Sequence, residues 1–478
     1  MLHIIRERLT LLLLVLLPFH ALLVTVGTRL LVGPGHAPLT YLALWKEGVL
    51  GIVMVLVLIE MWGKVAGRKQ KAEVRSVDSL DIFIVLLITL GVIVSASHSS
   101  LLTSAFLYGF KYDFLPLVAF LFLRRVPWSE RFRRLAFITL IAVGGVVGLY
   151  GLVTIFLPDA YFRFLGYSDL HSLYLPEGPI AAFQQLGGMA LRRVQSTMSG
   201  PNQLGLWLLI PLSLVFVHLG RRVTEGAESW LLRWSLFSRS RYDVLCSVFL
   251  LVMLIACALT FSRAAWIGAA CTVLAVFTHR ALPQASRRVV VRVLTGFGVL
   301  IVLLALLRPE ILLRTASSRD HLVRPLAAVQ TIFGHPLGLG LGTAGPASNH
   351  VSDACVFLPE GGDASWAAAH PALCVFLGNT QVQPDVPCKC PLLPENWYLQ
   401  IGVELGIAGF VLFIVFVLLV LLRLRRNTSP LAIGTFAAFV GVSIAALFLH
   451  AWESSAVAYT LWVLAAVILC ADAVERKI

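Results

Sequence analysis

Long apolar stretches recur along the whole chain and are separated by short polar or charged connections. The stretches are continuous, whereas a membrane β-barrel would show alternating apolar and polar residues, so they fit helices that cross a lipid bilayer. Such a crossing needs about 20 apolar residues. By this criterion the sequence predicts twelve crossings, over residues 9–32, 41–62, 80–97, 102–123, 135–157, 202–219, 243–261, 264–278, 289–307, 395–422, 431–450 and 455–472.

Composition supports a membrane protein. Of 478 residues, 58% are hydrophobic and 13% are charged, and the mean hydropathy is +0.87. A soluble domain carries about 25% charged residues, so the composition excludes a water-soluble enzyme, a disordered chain and a small disulfide-stapled secreted module.

Basic residues occur in every second connection and predict the orientation. Each of these connections holds two to five Lys or Arg, the excess that is typical of cytoplasmic loops. We therefore expect both termini in the cytoplasm and the other connections outside. The basic connections are 1–8, 63–79, 124–134, 220–242, 279–292, 423–430 and 473–478.

Two of the outer connections are long, and they divide the chain. The predicted fold class is all-α: a polytopic membrane protein of about 12 transmembrane helices with a large outer loop. A long loop without an apolar crossing usually carries function. We expect helices 1–9 in residues 1–307, including an outer segment at 158–201, then a large outer loop at 308–394, then helices 10–12 in residues 395–478.

Part of the large loop has a helical pattern. Leu322, Leu326, Val329 and Phe333 recur on one helical face. This spacing predicts an amphipathic helix that lies along the membrane surface.

Four cysteines lie in the same loop, at 355, 374, 388 and 390. Four cysteines allow three pairings, and a bridge between Cys388 and Cys390 would be badly strained. One or two disulfides are expected. The alternative is a zinc site that combines these thiolates with His350 or His370, for which the Cys-x-Cys spacing is poor.

Two lysines lie inside the outer ends of apolar stretches. Lys46 is followed by Glu47, and Lys111 lies two residues from Asp113. Ionisable groups at such places are costly, so they pair locally, snorkel to the interface or face a polar cavity.

Three arginines have no acid beside them in sequence: Arg192, Arg193 and Arg263. All three are predicted at the outer membrane boundary, where their planar forks match phosphate oxygens. A lipid phosphate or pyrophosphate is the expected partner. Nucleic acid is excluded as a partner, because the basic residues are scattered over short connections.

One predicted helix opens with a carboxylate. Glu395 follows Pro394 at the end of the large loop, and Asn396, Gln400 and Glu404 then recur every four residues along an apolar helix. Glu395 is either a charge that caps the helix dipole or a general base at the water–membrane boundary. Glu404 is either a buried structural partner for an arginine or part of the same site.

Four short motifs along the chain resemble those of the O-antigen ligase and polymerase family of bacterial membrane glycosyltransferases. RVQSTMSGPNQL at 193–204 is similar to an Arg-containing "PN" segment of that family, and TFSRAAW at 260–266 to its "SRxxW/L" turn. GHPLGLGLG at 334–342 resembles its "PxxGxGxG" loop, and ENWYLQIGVELG at 395–406 resembles "HNxxLQxxxExG". The ligase pattern has His where this chain has Glu395, and Glu there looks more like the polymerase side of the family.

The resemblance implies a function and a GT-C-like fold. It implies a metal-independent, inverting glycosyltransferase without a cofactor, which transfers or polymerises a glycan from an undecaprenyl-diphosphate donor. The acceptor would be a glycan, lipid A-core or a protein. The enzyme would be a multi-pass protein of the bacterial inner membrane among its lipids, with the active site on the periplasmic side.

The resemblance also implies roles for particular residues. Glu395 would be the catalytic base, while Arg193, Arg263 and Arg319 would bind the donor pyrophosphate. The residues in supporting roles would be Asn202, Asn396, Gln400, Glu404 and Lys111.

Two other functions fit the composition. A multi-pass transporter of a lipid-linked or anionic solute would place its charged pairs near mid-membrane and would have broken central helices. A non-catalytic assembly scaffold would tolerate replacement of Glu395.

Overall fold

The computed structural model describes residues 1–66, 77–168, 192–222, 241–280, 295–296, 298–299, 315–358, 365–368, 370–371, 373–378 and 380–470; the side chains of 64–66, 222, 241, 315–320 and 366 are not described. Most of the predicted ninth crossing (289–307) lies outside these residues. The same holds for much of the outer segment 158–201, for the end of the chain after residue 470 and for the side chain of Arg319.

The described chain is mostly helical. Its first part forms α1 (Leu2–Leu16), α2 (His20–Val32), α3 (Thr40–Ala43), α4 (Trp45–Ala66), α5 (Ser79–Ser97), α6 (Ser104–Gly109), α7 (Leu115–Leu123), α8 (Glu130–Val153), α9 (Asp159–Leu165), α10 (Pro201–Arg222), α11 (Arg241–Leu259) and α12 (Arg263–Thr278). The second part forms α13 (Thr315–Gly334), α14 (Gly345–Ser348), α15 (Ser365–Ala368), α16 (Trp397–Arg426), α17 (Pro430–Ala445) and α18 (Ser455–Ile468).

Seven helical segments of the described chain are long and apolar enough to cross a membrane. They are Leu2–Val32, Ser79–Ser97, Ser104–Leu123, Glu130–Val153, Pro201–Arg221, Tyr242–Leu259 and Trp397–Arg426. Three shorter apolar helices, α12, α17 and α18, accompany them. These helices are consistent with the predicted membrane protein. Within the first segment a turn of 3-10 helix at Leu17–Phe19 joins α1 to α2, because Pro18 cannot continue an α-helix.

The expectation of an all-α protein is wrong in one place. The large loop contains a three-stranded sheet of β1 (Cys355–Leu358), β2 (Cys374–Leu377) and β3 (Thr380–Gln383). Strands β1 and β2 both have the sequence CVFL and pair in parallel, and β3 is antiparallel to β2. Valine and phenylalanine favour strands, and two disulfides, Cys355–Cys390 and Cys374–Cys388, fasten this sheet.

These disulfides decide between the two expectations for the loop cysteines. Asp353 lies next to Cys374 and Cys388 in the structure. Both sulfurs belong to one disulfide, and zinc requires thiolates. The loop cysteines therefore serve as covalent cross-links.

Helix α17 lies at the centre of the bundle and packs against α10, α12 and α18. Its closest approach is to α12, where Gly441 and Gly268 face each other. A Cβ on Gly441 would overlap Thr272, and one on Gly268 would lie 2.9 Å from the Gly441 carbonyl oxygen. Small residues allow this contact because lipid-embedded helices associate mainly through close packing.

The amphipathic helix predicted in the large loop is present as α13. Its inner face buries Ala328 and Ile332 against Val403 of α16. Leu322, Leu326 and Phe333 remain exposed. An exposed apolar face at this place fits a helix on the membrane surface, which stays a prediction.

The glycine-rich segment after α13 enters the helix bundle at a break in α16. Gly406 has a φ of 72°, which interrupts the helix. The backbone groups freed there bond to the inserted segment: Leu339 donates to the carbonyl of Val403, and Ile407 donates to that of Pro336. The glycine-rich motif thus supplies the backbone partners that a broken helix in an apolar setting needs.

A substitution at Gly342 tests how tightly the glycine-rich segment fits in the bundle. The φ of Gly342 is +78°, and an added Cβ would overlap the carbonyl oxygen of Ala105. Gly342→Ala should lower the free energy of unfolding by about 1–3 kcal/mol, because both the backbone conformation and the contact become strained. Thermal unfolding of the purified protein in detergent measures this loss.

The control is Gly334→Ala, since a Cβ at Gly334 meets nothing within 4 Å. Equal stability of the two variants would contradict a tight fit of the glycine-rich segment in the bundle.

Candidate functional site

A cavity of about 550 Å³, here called the site cavity, lies where the large loop meets the helix bundle. Its wall combines residues from distant parts of the chain. Polar groups of the wall come from α2, α4, α10, the π-helical turn at Phe110–Phe114, the segment before α16 and the loop between α17 and α18; among them are His20, Lys46, Lys111, Tyr112, Asn202, Gln203, Glu395, His450 and Glu453.

Glu395 is held in a strained backbone conformation at this wall. Its φ of 53° is uncommon for a residue other than glycine. Three hydrogen bonds tie residues 395–397 to the loop between α17 and α18, and we call them the staple. They join Glu395 N to His450 Nε2 (3.2 Å), Asn396 Nδ2 to the Leu447 carbonyl (3.0 Å) and Trp397 N to the Ala446 carbonyl (2.9 Å).

Asn396 also begins the helix, because its Oδ1 accepts a hydrogen bond from Leu399 N at 3.0 Å. Asparagine is among the best residues for this N-cap role. The capping role considered for Glu395 therefore belongs to its neighbour. The Glu395 side chain instead contributes to the wall of the site cavity.

The Glu395 carboxylate meets two residues of α13. Its Oε1 accepts a hydrogen bond from Arg324 Nη1 at 2.9 Å, and its Oε2 lies 4.0 Å from His321 Nδ1. Arg324 and His321 are not among the site residues that the sequence predicts. The signal was present, because 321, 324, 328 and 332 share the face of α13 opposite its exposed apolar residues.

Behind Glu395, a chain of polar side chains leads into the bundle. His450 Nδ1 donates to Gln400 Oε1 at 2.6 Å, which leaves Nε2 as the acceptor for the Glu395 amide. Gln400 Nε2 donates to Glu453 Oε1 at 3.1 Å and lies 3.5 Å from Asp113 Oδ1. Burial lowers the pKa of His450 below its ordinary value, and Arg324 and His321 act in the same direction. The ring is therefore neutral, as this hydrogen-bond pattern requires.

Glu404 lies deeper and has a different partner from the expected one. It is fully buried, and its Oε1 accepts hydrogen bonds from Gly342 N (2.9 Å) and Ala344 N (3.2 Å) of the glycine-rich segment. The expectation that Glu404 pairs with an arginine is wrong. Backbone amides bind one oxygen of this side chain because the inserted segment turns its N–H groups toward the break in α16.

Two of the sequence motifs meet at a second place beside the site cavity. Arg193 Nε donates to the Thr260 carbonyl at 2.9 Å, and its Nη2 donates to Asn202 Oδ1 at 2.9 Å. Asn202 in turn lies in the cavity wall. Ser196 and Phe261 both have positive φ, at 54° and 50°. Strained residues cluster at functional sites, and here they mark both motifs, as Glu395 marks a third.

The other predicted phosphate-binding arginines have separate positions. Arg263 is partly exposed and begins α12, three residues after the carbonyl that holds Arg193. Arg192 pairs with Asp159 at the start of α9, an acid that is distant from it in sequence. The Arg319 side chain lies outside the described residues.

Both lysines contact one carboxylate. Lys46 Nζ lies 3.3 Å and Lys111 Nζ 3.4 Å from Glu47 Oε1, and Lys46 also lies 3.0 Å from His20 Nε2. Of the options open for Lys111, it faces the polar site cavity, while the nearby Asp113 is buried toward Gln400. Two cations thus share one anion, and both lysines line the same cavity as Glu395.

No protein-family model, no curated protein and no solved structure matches this chain.

The staple can be tested through His450. His450→Phe should lower the free energy of unfolding at neutral pH by about 1 kcal/mol, because the Glu395 amide and Gln400 each lose a partner. The folded protein also resists protonation of His450. Wild-type stability should therefore fall as pH drops below about 6.5, while the variant should lose less over that range.

Thermal unfolding between pH 7 and pH 4 measures both effects. The matched control is His335→Phe, since His335 is exposed on the large loop. A pH profile of His450→Phe that coincides with that of the wild type would contradict a neutral His450 in the staple.

Proposed function

We propose that this chain is a glycosyltransferase of the O-antigen ligase and polymerase kind, with a GT-C-like arrangement of about twelve membrane helices. The observation that supports this most is the position of Glu395, a carboxylate held by the staple at the wall of a cavity that Lys46 and Lys111 also line. A fixed base beside a place for a polyanion is what glycosyl transfer from a lipid diphosphate needs.

The location follows from charge and from the disulfides. Pro346, Asn349 and Leu393 of the large loop line the site cavity, and this loop carries both disulfides. Disulfides persist in the periplasm and not in the cytoplasm. Together with the basic alternate connections, this supports a periplasmic site cavity in a bacterial inner-membrane protein with cytoplasmic termini.

The donor is an undecaprenyl-diphosphate-linked glycan that enters from the membrane. Lys111, in the cavity wall, and Arg193, which holds the cavity residue Asn202, attract its pyrophosphate. Arg263 and Arg319 complete the cationic set in this proposal. Guanidinium groups suit this task because each matches two phosphate oxygens.

The reaction is an in-line displacement at the anomeric carbon. The acceptor hydroxyl oxygen forms the new bond to that carbon as the bond to the phosphate oxygen breaks, so the configuration inverts. Glu395 takes the hydroxyl proton, and the leaving lipid diphosphate keeps the electron pair. The cations stabilise the charge that develops on it. The step uses no metal ion and no cofactor.

Arg324 fixes the orientation of the Glu395 carboxylate. The guanidinium binds Oε1 at 2.9 Å, so the carboxylate plane is fixed from α13 while the backbone is fixed from the staple. The large loop that carries α13 would also select the acceptor. A carboxylate as the base favours a polymerase, with a second glycan as acceptor, over transfer to lipid A-core or protein.

Glu395→Gln should reduce transfer by about a hundredfold or more, because the amide cannot take the hydroxyl proton. The assay uses protein reconstituted with a defined undecaprenyl-diphosphate glycan and offers a second donor, lipid A-core and a pilin-like protein in turn. Donor binding and the melting temperature should change little. The control is Asp385→Asn, at an exposed acid of the large loop that does not line the site cavity. Wild-type turnover in Glu395→Gln would remove Glu395 as the base.

A transporter of a lipid-linked or anionic solute is the second candidate. The break at Gly406 lies beside Glu404, and Asp113 and Glu453 are buried nearby. Broken helices with buried acids are typical of secondary transporters.

Glu404→Gln separates the two candidates. If the chain is a glycosyltransferase, the Glu404→Gln variant should still transfer glycan in a way that depends on Glu395, because the amide oxygen still accepts hydrogen bonds from Gly342 N and Ala344 N. Its main loss should be in stability. A transporter should lose uptake into proteoliposomes. Solute uptake that depends on Glu404, without any transfer product, would contradict the glycosyltransferase and support the transporter.

A further inference from the structure

A second cavity, of about 440 Å³, lies at the opposite end of α10 from the site cavity. Asn202 at the start of α10 lines the site cavity, and Arg221 near its end lines the second one. Nineteen residues of helix separate these positions by about 28 Å, close to the thickness of a bilayer core. The two cavities therefore open toward opposite membrane faces.

The second cavity is basic, and we call it the arginine cavity. Arg133 and Arg134 of α8 and Arg221 of α10 line it, with Glu130 as the one acid among the described residues of the lining. His218 also lines it but is paired with Asp243 at 2.9 Å. The lining therefore has a positive balance at a membrane boundary.

Arg133 gives the strongest evidence that this cavity binds a ligand. Its Nε is buried, and among the described residues it has no hydrogen-bond partner. Its Nη2 contacts the weak acceptor Sγ of Cys470 at 3.4 Å, and its Nη1 lies 3.5 Å from the largely exposed Glu130. A buried guanidinium N–H without an acceptor is costly, so an acceptor from a ligand would stabilise it.

The rest of the lining fits a lipid headgroup. Phe137 and Leu431 provide apolar surface next to the arginines, and α17 begins at Pro430 with Ser429 as its cap. The helix start presents a positive dipole end to the cavity. A molecule that combines a phosphate with acyl chains satisfies the charged part and the apolar part together.

We propose that the arginine cavity binds the phosphate of an anionic membrane lipid, in the leaflet opposite the site cavity. The bound phosphate bridges α8 and α10 at the start of α17, which is the central helix of the bundle. Basic pockets between membrane helices bind anionic headgroups in this way. The proposal does not depend on the reaction at the site cavity.

The test is lipid binding by the full-length protein in detergent. Phosphatidylglycerol should raise the melting temperature and remain bound in native mass spectrometry, while phosphatidylcholine should do neither. The double variant Arg133→Gln with Arg134→Gln should lower phosphatidylglycerol retention by about tenfold or more, because two charge-assisted hydrogen bonds are lost.

The control removes the same charge from exposed arginines that do not line the cavity, Arg8→Gln with Arg131→Gln. It should retain the lipid like the wild type. If the double variant does not fold, Arg134→Glu alone serves, since Arg134 is exposed. Equal retention by the cavity variant and the control would overturn the proposal. Equal stabilisation by glycerol 3-phosphate, which has no acyl chains, would overturn its assignment to a lipid.

Discussion

The staple between residues 395–397 and the loop after α17 is the constraint on which the site depends. It fixes the backbone of Glu395 in a conformation that a residue other than glycine rarely adopts. That conformation turns the side chain out of the α16 axis and into the cavity wall, where Arg324 meets it. Strain of this kind persists only when surrounding contacts over-determine it, and three hydrogen bonds from one loop do so here.

The break in α16 is a second constraint, about two and a half helical turns deeper. A helix interrupted at Gly406 exposes backbone groups that lipid cannot satisfy, and the glycine-rich segment supplies their partners. The same segment donates two amides to Glu404. Gln400 lies between the break and the staple and bonds to His450. Hydrogen bonds thus connect the large loop, the helix break and the cavity wall, so a substitution in one of them should change the structure of the others.

Much of the fold follows from the sequence because apolar length alone defines a membrane helix. The predicted crossing at 80–97 coincides with the helix Ser79–Ser97, which is long enough to cross a membrane, and the predicted segment 264–278 coincides with the shorter apolar helix Arg263–Thr278. Helix boundaries differ from the predicted ones where an N-cap residue sets the start of the helix. Ser129 caps α8, which therefore begins at Glu130 and not at the predicted residue 135. The sheet in the large loop was missed, because its strands are four residues long and depend on disulfide partners that sequence leaves open.

The site was predicted in its local parts only. Glu395 was selected because a proline precedes a carboxylate at a helix start, and Arg193 because no acid stands beside it. Their partners could not be read in this way. His450 and Arg324 lie 55 and 71 residues from Glu395, and which distant side chains meet is set by how the helices pack. Lys111 shows the same limit, since its partner is Glu47 and not the nearby Asp113.

An experimental map of the protein in a lipid nanodisc with a non-hydrolysable undecaprenyl-diphosphate glycan is the most direct measurement. A glycosyltransferase should hold the pyrophosphate in the site cavity near Lys111 and Asn202. The Glu395 carboxylate should face the anomeric carbon, with space between them for the acceptor hydroxyl. That oxygen should lie about 3 Å from the carboxylate. A pyrophosphate bound away from this cavity, or a solute seated at the break beside Glu404, would contradict the proposed chemistry.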